Sequence, residues 1–317
     1  MARNSNIQNL KIAAEDYLHV RRALGFKLVR AEYLLSQFID FLKREKAKYI
    51  TTALAIRWAT KNVSCHPGRW AHRLNLVRCF ARFRKVADPR TEVPPVGILT
   101  QRYRRKPRDI PSDRDVMKLL AAAKKVRSPK GLWNTTHYTL LGLLAATGMR
   151  VGEVVALNRN DVNLRSGIIT IRNAKFGKSR AVPIHHSTVK ALRAYERLRD
   201  SVVPLSENQS FFVSERGARM TAKFVGKKYI VLARQAGIRS PKGRAGPRLH
   251  DLRHRFAIRT MLAWYRNGVD VEQKMPVLST YLGHTNTAHT YWYLSSVPEL
   301  LSLAVERLNT DVEGVAS

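Results

Sequence analysis

Apolar residues recur at helical spacing through the first 86 residues of the chain. The interval is close to 3.6 residues, and no alternating strand pattern interrupts it. Three groups carry the pattern: Ala13, Tyr17 and Val20; Tyr33, Leu34, Phe38, Phe41 and Leu42; and Leu74, Val77 and Phe80. We therefore predict that residues 8 to about 86 are helical.

The residues beyond 111 combine helical and strand patterns. Ser112 followed by Asp115 resembles a capping box and predicts a helix start. A second apolar helix is predicted to end at Gly148, a left-handed C-cap. Further strands are predicted at Val162–Leu164, Ile168–Ile171 and Ala181–Ile184, and further helices at Ser187–Asp200, Thr221–Ala236, His250–Arg266 and Val271–Leu282. The predicted fold class is mainly α with a small antiparallel sheet (α+β).

Charge narrows the class of partner. The 317 residues include 57 Lys and Arg against 23 Asp and Glu, a formal net charge of +34. Such a surplus predicts a polyanionic partner, with nucleic acid as the first candidate. A membrane surface is the alternative, but the longest apolar stretch, Leu140–Ala146, is too short to span a bilayer and no lipidation signal is present.

Length and cysteine content set further bounds. A chain of 317 residues is about twice the usual domain size, which predicts two domains. Cys65 and Cys79 do not form a C-x-x-C pair, which excludes a disulfide scaffold and a cysteine-rich zinc site. The first residues lack the apolar core of a secretory signal, so we expect the chain to remain in the cytoplasm.

The segment Asp88–Pro111 is rich in proline and in cations. Prolines at this density prevent a continuing helix, which predicts a basic linker over residues 88–111 between domains at 1–87 and 112–317. The composition is also typical of a solvated linker, but the net charge favours contact with a phosphate backbone. The candidate DNA-binding residues are Arg102, Arg104, Arg105, Lys106 and Arg108.

Four separated segments carry side chains suited to phosphate chemistry. Residues 146–153 place Arg150 beside a glycine-bounded turn, and residues 174–183 form a lysine-bearing hairpin. The third segment is Leu-His-Asp-Leu-Arg-His at 249–254, and the fourth is Leu-Gly-His at 282–284 with Tyr293 nine residues after its histidine. Each segment alone has an ordinary explanation, such as helix capping, a solvated hairpin tip or aromatic packing.

The pair His250 and His254 shares the i, i+4 spacing of zinc-protease helices. Asp251 stands where those helices carry a glutamate base, and the arginine-rich surroundings are unfavourable to a divalent cation. We therefore expect no metal here.

Taken together, the ordered segments resemble the catalytic set of the tyrosine recombinase (phage integrase) family, from about Ser112 to the C-terminus. The resemblance implies that the catalytic residues are Arg150, Lys175, His250, Arg253, His284 and Tyr293, with Glu153 as a supporting residue. It also implies a helical core-binding (SAM-like) DNA-binding domain at 1–87 and a catalytic domain at 112–317. The implied partners are double-stranded DNA at specific recombination sites, other copies of the chain in a synaptic tetramer, and accessory proteins, with nucleoid association and no cofactor.

The residue types fit the reaction of that family, in which one phosphodiester is exchanged for another through a 3′-phosphotyrosine. Arg150 and Arg253 would hold the non-bridging oxygens by paired hydrogen bonds. The phenol of Tyr293 would attack, with His250 as the candidate proton acceptor and Lys175 as the candidate acid for the departing 5′-hydroxyl. Bond energy is conserved in this exchange, which agrees with the lack of an ATP-binding G-x-x-x-x-G-K-[ST] motif.

Tyr291 is the alternative nucleophile. On a helix, Tyr291 and Tyr293 point about 200° apart, so only one of them faces the phosphate. The nine-residue interval from the Leu-Gly-His histidine is the usual one in the family and favours Tyr293.

The C-terminal residues 298–309 are predicted to form an amphipathic tail helix. This helix either closes over its own domain or docks onto a neighbouring protomer, as the resemblance implies.

Three other functions stay open: a type IB topoisomerase, which has the same tyrosine but no exchange of partners; a non-catalytic architectural DNA binder; and a zinc hydrolase.

Overall fold

The computed structural model describes two compact units, Met1–Lys106 and Pro107–Ser317. The described residues are 2–99, 109–172, 179–203, 209–284, 286, 288–291, 293, 299–303 and 305, without the side chains of 2–8 and 289. Among these residues, no helix combines the length and the apolar character that crossing a bilayer requires.

The N-terminal unit is helical, as the periodicity predicts. Thr51 starts the third helix by accepting a hydrogen bond from the Leu54 backbone N–H, and Pro67 occupies the first turn of the fourth. Phe38 and Phe80 are fully buried at the centre of this unit, whereas Val20 and Tyr33, which the sequence pattern placed on apolar faces, lie exposed. The helices are α1 (Ala2–Ala23), α2 (Val29–Arg44), α3 (Thr52–Thr60) and α4 (Pro67–Ala87).

The proline-containing segment after α4 packs against the N-terminal unit over its described first part. The Arg78 guanidinium donates to the carbonyls of Pro94 and Pro95, both at 2.7 Å. The Glu92 backbone N–H donates to the Ile50 carbonyl at 2.9 Å. Residues 88–95 are therefore anchored to the helices before them, and the predicted domain boundaries at 87 and 112 stay predictions.

The C-terminal unit contains the remaining helices and the sheet. Its helices are α5 (Asp113–Lys124), α6 (Leu132–Thr147), α7 (Val151–Ala156), α8 (His186–Val202), α9 (Ala222–Gln235), α10 (Asp251–Arg266), α11 (Val271–Leu282) and α12 (Ala288–Tyr291). Its strands are β1 (Val162–Asn163), β2 (Ile168–Ile171) and β3 (Arg180–Pro183).

The predicted capping box and C-cap are confirmed. Ser112 Oγ accepts from the Asp115 backbone N–H, and the Asp115 carboxylate accepts from the Ser112 N–H. Gly148 ends α6 with φ +63°, in the left-handed region.

The three strands form an antiparallel sheet in the order β1-β2-β3, which confirms the predicted fold class. Ile169 pairs with Val182, and both are fully buried, so this face of the sheet covers the core. Helix α6 is apolar on all sides because it lies at the centre of the unit, in contact with α5, α8 and α10. Helices α10 and α11 share a second core cluster with Tyr293 and Leu300.

Candidate active site

The turn between α6 and α7 presents Arg150. Gly148 has no room for a side chain, since an added Cβ would lie 2.6 Å from the ring of Phe256 on α10. This close approach brings the backbone of the turn to the N-terminal part of α10. The Arg150 side chain then donates to Glu153 Oε1 and to the Gly283 carbonyl, both at 2.8 Å.

Glu153 is a buried carboxylate shared by two arginines. Besides Arg150, it accepts two hydrogen bonds from Arg180, at 3.1 and 2.8 Å, and one from the Arg150 backbone N–H at 2.9 Å. Burial by itself raises the pKa of Glu153, but the bonds from Arg180 and Arg150 outweigh burial and hold the pKa below its usual value. Glu153 is therefore ionised and fixes both guanidinium groups.

The end of α11 supplies the second wall of the site. Gly283 adopts φ +68°, and an added Cβ would lie 2.6 Å from Nη1 of Arg180. Arg180 also donates to the Tyr281 carbonyl at 2.8 Å, so one side chain holds both Glu153 and the last turn of α11.

Arg253 lies in the first turn of α10 and is only 2% exposed. Its Nη atoms donate to the carbonyls of Gly148, at 2.9 Å, and Leu282, at 2.7 Å, which are neutral acceptors. Burial, and after it the charge of Arg150, lowers the pKa of Arg253 to about 10, so it remains protonated at neutral pH. These two bonds use two of the five N–H donors of the guanidinium.

His250, which precedes α10, and His254, in its first turn, are neutral at neutral pH. Burial, followed by the charge of Arg253, lowers the pKa of His250, and burial, followed by His250, lowers the pKa of His254 to about 4. Their rings meet edge to face with centroids 4.9 Å apart. Nδ1 of His254 lies 3.1 Å from the hydroxyl of Tyr293.

Tyr293 lies inside the site, whereas Tyr291 points to solvent. Tyr293 is 2% exposed and Tyr291 is 42% exposed. The Tyr293 ring is stacked on that of His284, with centroids 6.4 Å apart, and the charge of an ionised Tyr293 raises the pKa of Arg253. His284 is in turn held by a 2.8 Å hydrogen bond between its Nδ1 and Thr290 Oγ1. Of the two tyrosines, Tyr293 is the one placed to act with the arginines.

The structure thus brings together six of the residues singled out in the sequence: Arg150, Glu153, His250, Arg253, His284 and Tyr293. The hairpin lysine, Lys175, lies outside the described residues. The linker cations Arg102, Arg104, Arg105, Lys106 and Arg108 lie outside them as well.

Two residues of the site received no role from the sequence. Arg180 is one arginine among many in a basic chain, and its contacts with Glu153 and Tyr281 span 27 and 101 residues. The sequence pattern associates His254 only with a zinc pair, although its helical spacing places it one turn from His250. Within the described part of the chain, no group of His, Cys, Asp and Glu is arranged to hold a metal ion.

A basic groove of about 590 Å³ adjoins the site, and His250 and Arg253 form part of its wall. Apolar side chains such as Met149 and Ile230 line much of the remainder, together with lysines of α9 and arginines of the loop before α10. The charge of these cations suits a nucleic-acid backbone. These cations are Lys223, Lys227, Arg239, Arg244 and Arg248.

Comparison with known protein families gives a match to the phage integrase family over residues 112–299. The protein named "Putative integrase/recombinase y4rB" of Sinorhizobium fredii is 42% identical over 302 residues, which cover 93% of this chain and 96% of the relative. Tyrosine recombinase XerD of Staphylococcus epidermidis is 27% identical over 221 residues, 69% of each chain.

Solved structures share the fold. The Tn1549 transposon integrase in complex with transposon right end DNA superposes with a TM-score of 0.67 at 15% identity, covering 96% of this chain and 99% of that one. The XerH site-specific recombinase bound to palindromic difH substrate gives 0.66 at 19% identity, covering 87% and 78%. At these identities, the likeness concerns the fold alone.

Proposed function

Because the chain belongs to the phage integrase family and is a tyrosine-type site-specific recombinase, we propose that it cuts DNA with Tyr293 and keeps the 3′-phosphate as a phosphotyrosine. A second DNA end then displaces the tyrosine. In this assignment, Arg150 and Arg253 hold the scissile phosphate, and His250 and His284 donate hydrogen bonds to it.

The observation that carries the proposal is the excess of positive charge in the site. Arg150 and Arg180 share the single carboxylate of Glu153, and the described bonds of Arg253 go to neutral carbonyls. Three guanidinium groups with one carboxylate among their described partners lack a second anion, and a phosphodiester supplies it. Negative charge grows on the non-bridging oxygens as phosphorus becomes five-coordinate, so the same guanidinium groups stabilise the transition state more than the substrate.

The proton transfers follow from the reactants. The phenol must lose its proton as it attacks, and the departing 5′-oxygen must gain one. We assign the second task to Lys175, which the sequence places on the hairpin between β2 and β3. Arg180 begins β3 and holds Glu153, so the strand that leaves this hairpin is tied to the phosphate site.

Double-stranded DNA is the proposed substrate, and the basic groove beside His250 and Arg253 supports a path for it. The relative named as an integrase/recombinase supports a role in integrating, excising or resolving a mobile element. We therefore place the chain on the nucleoid in the cytoplasm, with accessory proteins setting the direction of exchange.

We also propose that four copies assemble on the paired sites. Leu300 is buried against α10 and α11, whereas the described tail residues Leu301 and Val305 are 47% and 54% exposed. The buried Leu300 anchors the start of the tail to its own domain. The exposed apolar side chains after it fit a tail whose later residues are covered by a neighbouring protomer. Of the predicted tail helix 298–309, residues 298, 304 and 306–309 lie outside the described residues.

Strand exchange between two marked DNA sites tests this function. Binding sites are first selected from fragmented host DNA with the full chain, then placed on two distinguishable linear DNAs. We expect exchange products with the parent chain and none with Tyr293→Phe. Relaxation of supercoiled DNA by sub-stoichiometric protein without exchange would identify a topoisomerase instead, and exchange by Tyr293→Phe would refute the assigned nucleophile.

A further inference from the structure

The hydroxyl of Tyr293 has a buried imidazole as its neighbour. Nδ1 of His254 lies 3.1 Å from it, and the two rings meet edge to face with centroids 5.3 Å apart. Both residues are at most 7% exposed. The contact therefore lies where bulk water does not compete for the phenolic proton.

Asp251 lies on the other side of this imidazole. Its Oδ1 is 3.7 Å from Nε2 of His254, and its carboxylate is fixed by the Arg248 backbone N–H at 2.7 Å. A neutral imidazole carries one proton, and the tautomer protonated on Nε2 points that proton toward the carboxylate. Nδ1 is then the lone-pair nitrogen, so the phenol of Tyr293 donates and His254 accepts.

We propose that His254 is the base that takes the proton of Tyr293 during strand cleavage and returns it during rejoining, and that Asp251 orients it. The proposal rests on the function proposed above and differs from the sequence-based expectation, which gave this task to His250. His254 qualifies as a catalytic residue because it touches the reacting oxygen, and Asp251, which acts through it, is a positioning residue.

The step balances. In cleavage, the O–H bond of Tyr293 breaks, its proton goes to Nδ1 of His254, the phenolic oxygen bonds to phosphorus, and the bond from phosphorus to the 5′-oxygen breaks. The 5′-oxygen takes a proton from the general acid. The resulting imidazolium faces Asp251 through its Nε2–H, and rejoining runs the same transfers backwards.

The charges around His254 suit a base that must start neutral. His250, Arg253 and Arg248 disfavour its protonated form, and Asp251 favours it. Tyr293 is the titratable group that faces it from the segment after α12. When negative charge develops on the bound phosphate and on the phenolic oxygen, the new imidazolium gains partners that the DNA-free site does not offer.

The test separates proton transfer from mere packing. His254→Gln retains a hydrogen-bond acceptor but cannot take up a proton, and we expect single-turnover cleavage of a nicked suicide substrate to fall at least about 100-fold. Replacing Tyr293 with a fluorinated tyrosine lowers the pKa of the phenol, so that its proton is lost more easily. In the His254→Gln chain this exchange is expected to restore cleavage at least about tenfold, and in the parent chain to change it little.

The matched control is His250→Gln, whose defect lies in holding the phosphate and is not relieved by the more acidic phenol. An equal response to fluorination in the parent and His254→Gln chains would overturn the proposal. If the parent itself forms no adduct on its selected DNA, the proposed function fails, whereas an active parent without rescue in His254→Gln refutes the base alone.

A measurement on the unaltered chain does not depend on folding of a variant. The ¹⁵N shifts of the His254 ring report which nitrogen carries the proton. We expect a protonated Nε2 and an unprotonated Nδ1 at neutral pH. A proton on Nδ1 would make the imidazole a donor to Tyr293 and would refute the proposal.

Discussion

Glu153 balances Arg150 and Arg180 with a single buried carboxylate, and this makes it the most sensitive charge of the site. Removing it leaves two guanidinium groups close together without a carboxylate, and the Arg180 side chain is only 10% exposed. Each of them also holds a carbonyl at the end of α11, that of Gly283 for Arg150 and that of Tyr281 for Arg180. The strength of the phosphate site therefore depends on a residue that does not itself bind phosphate.

We expect Glu153→Gln to lower the free energy of unfolding by about 3–5 kcal/mol, because it breaks a buried ion pair and leaves its cations unpaired. Adding Arg180→Gln removes one of those cations and should recover part of the stability, with a coupling free energy of about 0.5–3 kcal/mol. Urea denaturation of the two single variants and the double variant measures this. Strictly additive losses would show that the contacts do not act as a unit.

At the residue scale, the sequence predicts the groups that recur as a motif. Arg150, Arg253 and Tyr293 are set apart by neighbouring glycines, histidines and a fixed interval. Arg180 and His254 are set apart only by what they touch, across 27 and 39 residues of chain. A local sequence pattern does not reveal contacts between residues so far apart in the chain, so these two roles become visible only in the folded structure.

Helix ends position the site at the scale of elements. Gly148 and Gly283 close α6 and α11 in the left-handed conformation, and each offers a carbonyl to an arginine of the site. Gly283→Ala introduces backbone strain of about 1–2 kcal/mol and displaces the guanidinium of Arg180. We expect reduced stability together with reduced adduct formation.

The control for that substitution is Gly226→Ala in α9, where an added Cβ meets nothing within 4 Å. In a helix interior, alanine is favoured over glycine by about 0.5–1 kcal/mol. Gly226→Ala should therefore stabilise the chain slightly, as followed by thermal denaturation. If both substitutions changed the thermal stability equally, the close contact of Gly283 with Arg180 would not contribute to stability.

Helix α10 makes stability dependent on pH. The pKa of His254 falls from 6.5 to about 4 on folding, and burial also lowers that of His250. Between these values the unfolded chain binds the proton and the folded chain does not, so stability is complete above about pH 6.5 and declines as the pH falls toward 4. His254 contributes up to about 3 kcal/mol to this decline. In His254→Gln, urea midpoints should fall less steeply with acid, and an unchanged slope would contradict the burial argument.

Elements were predictable where periodicity or capping is strong. The α11 bounds and the Ser112 capping box follow directly from local sequence. The strands were located within one or two residues, but their partners and register come from packing on the core. The anchoring of residues 88–95 to Arg78 and Ile50 is not predictable, because a proline-rich composition is the same in a packed and in a solvated segment.

At the scale of the whole molecule, a net charge of +34 gives affinity for any phosphate backbone, so binding alone does not distinguish a recombinase from an architectural protein.

The tail offers a test of assembly. Deleting the residues after 297 should weaken formation of higher complexes on DNA much more than binding by one protomer, as resolved by gel mobility at increasing protein concentration. Equal losses would indicate that the tail closes over its own domain.

The most direct test of the account is to trap the chain on a nicked suicide substrate and map the modified residue by mass spectrometry. The account predicts a DNA 3′-phosphate on Tyr293, lost in Tyr293→Phe and retained in Tyr291→Phe. An adduct on Tyr291, or on any residue other than Tyr293, would contradict it.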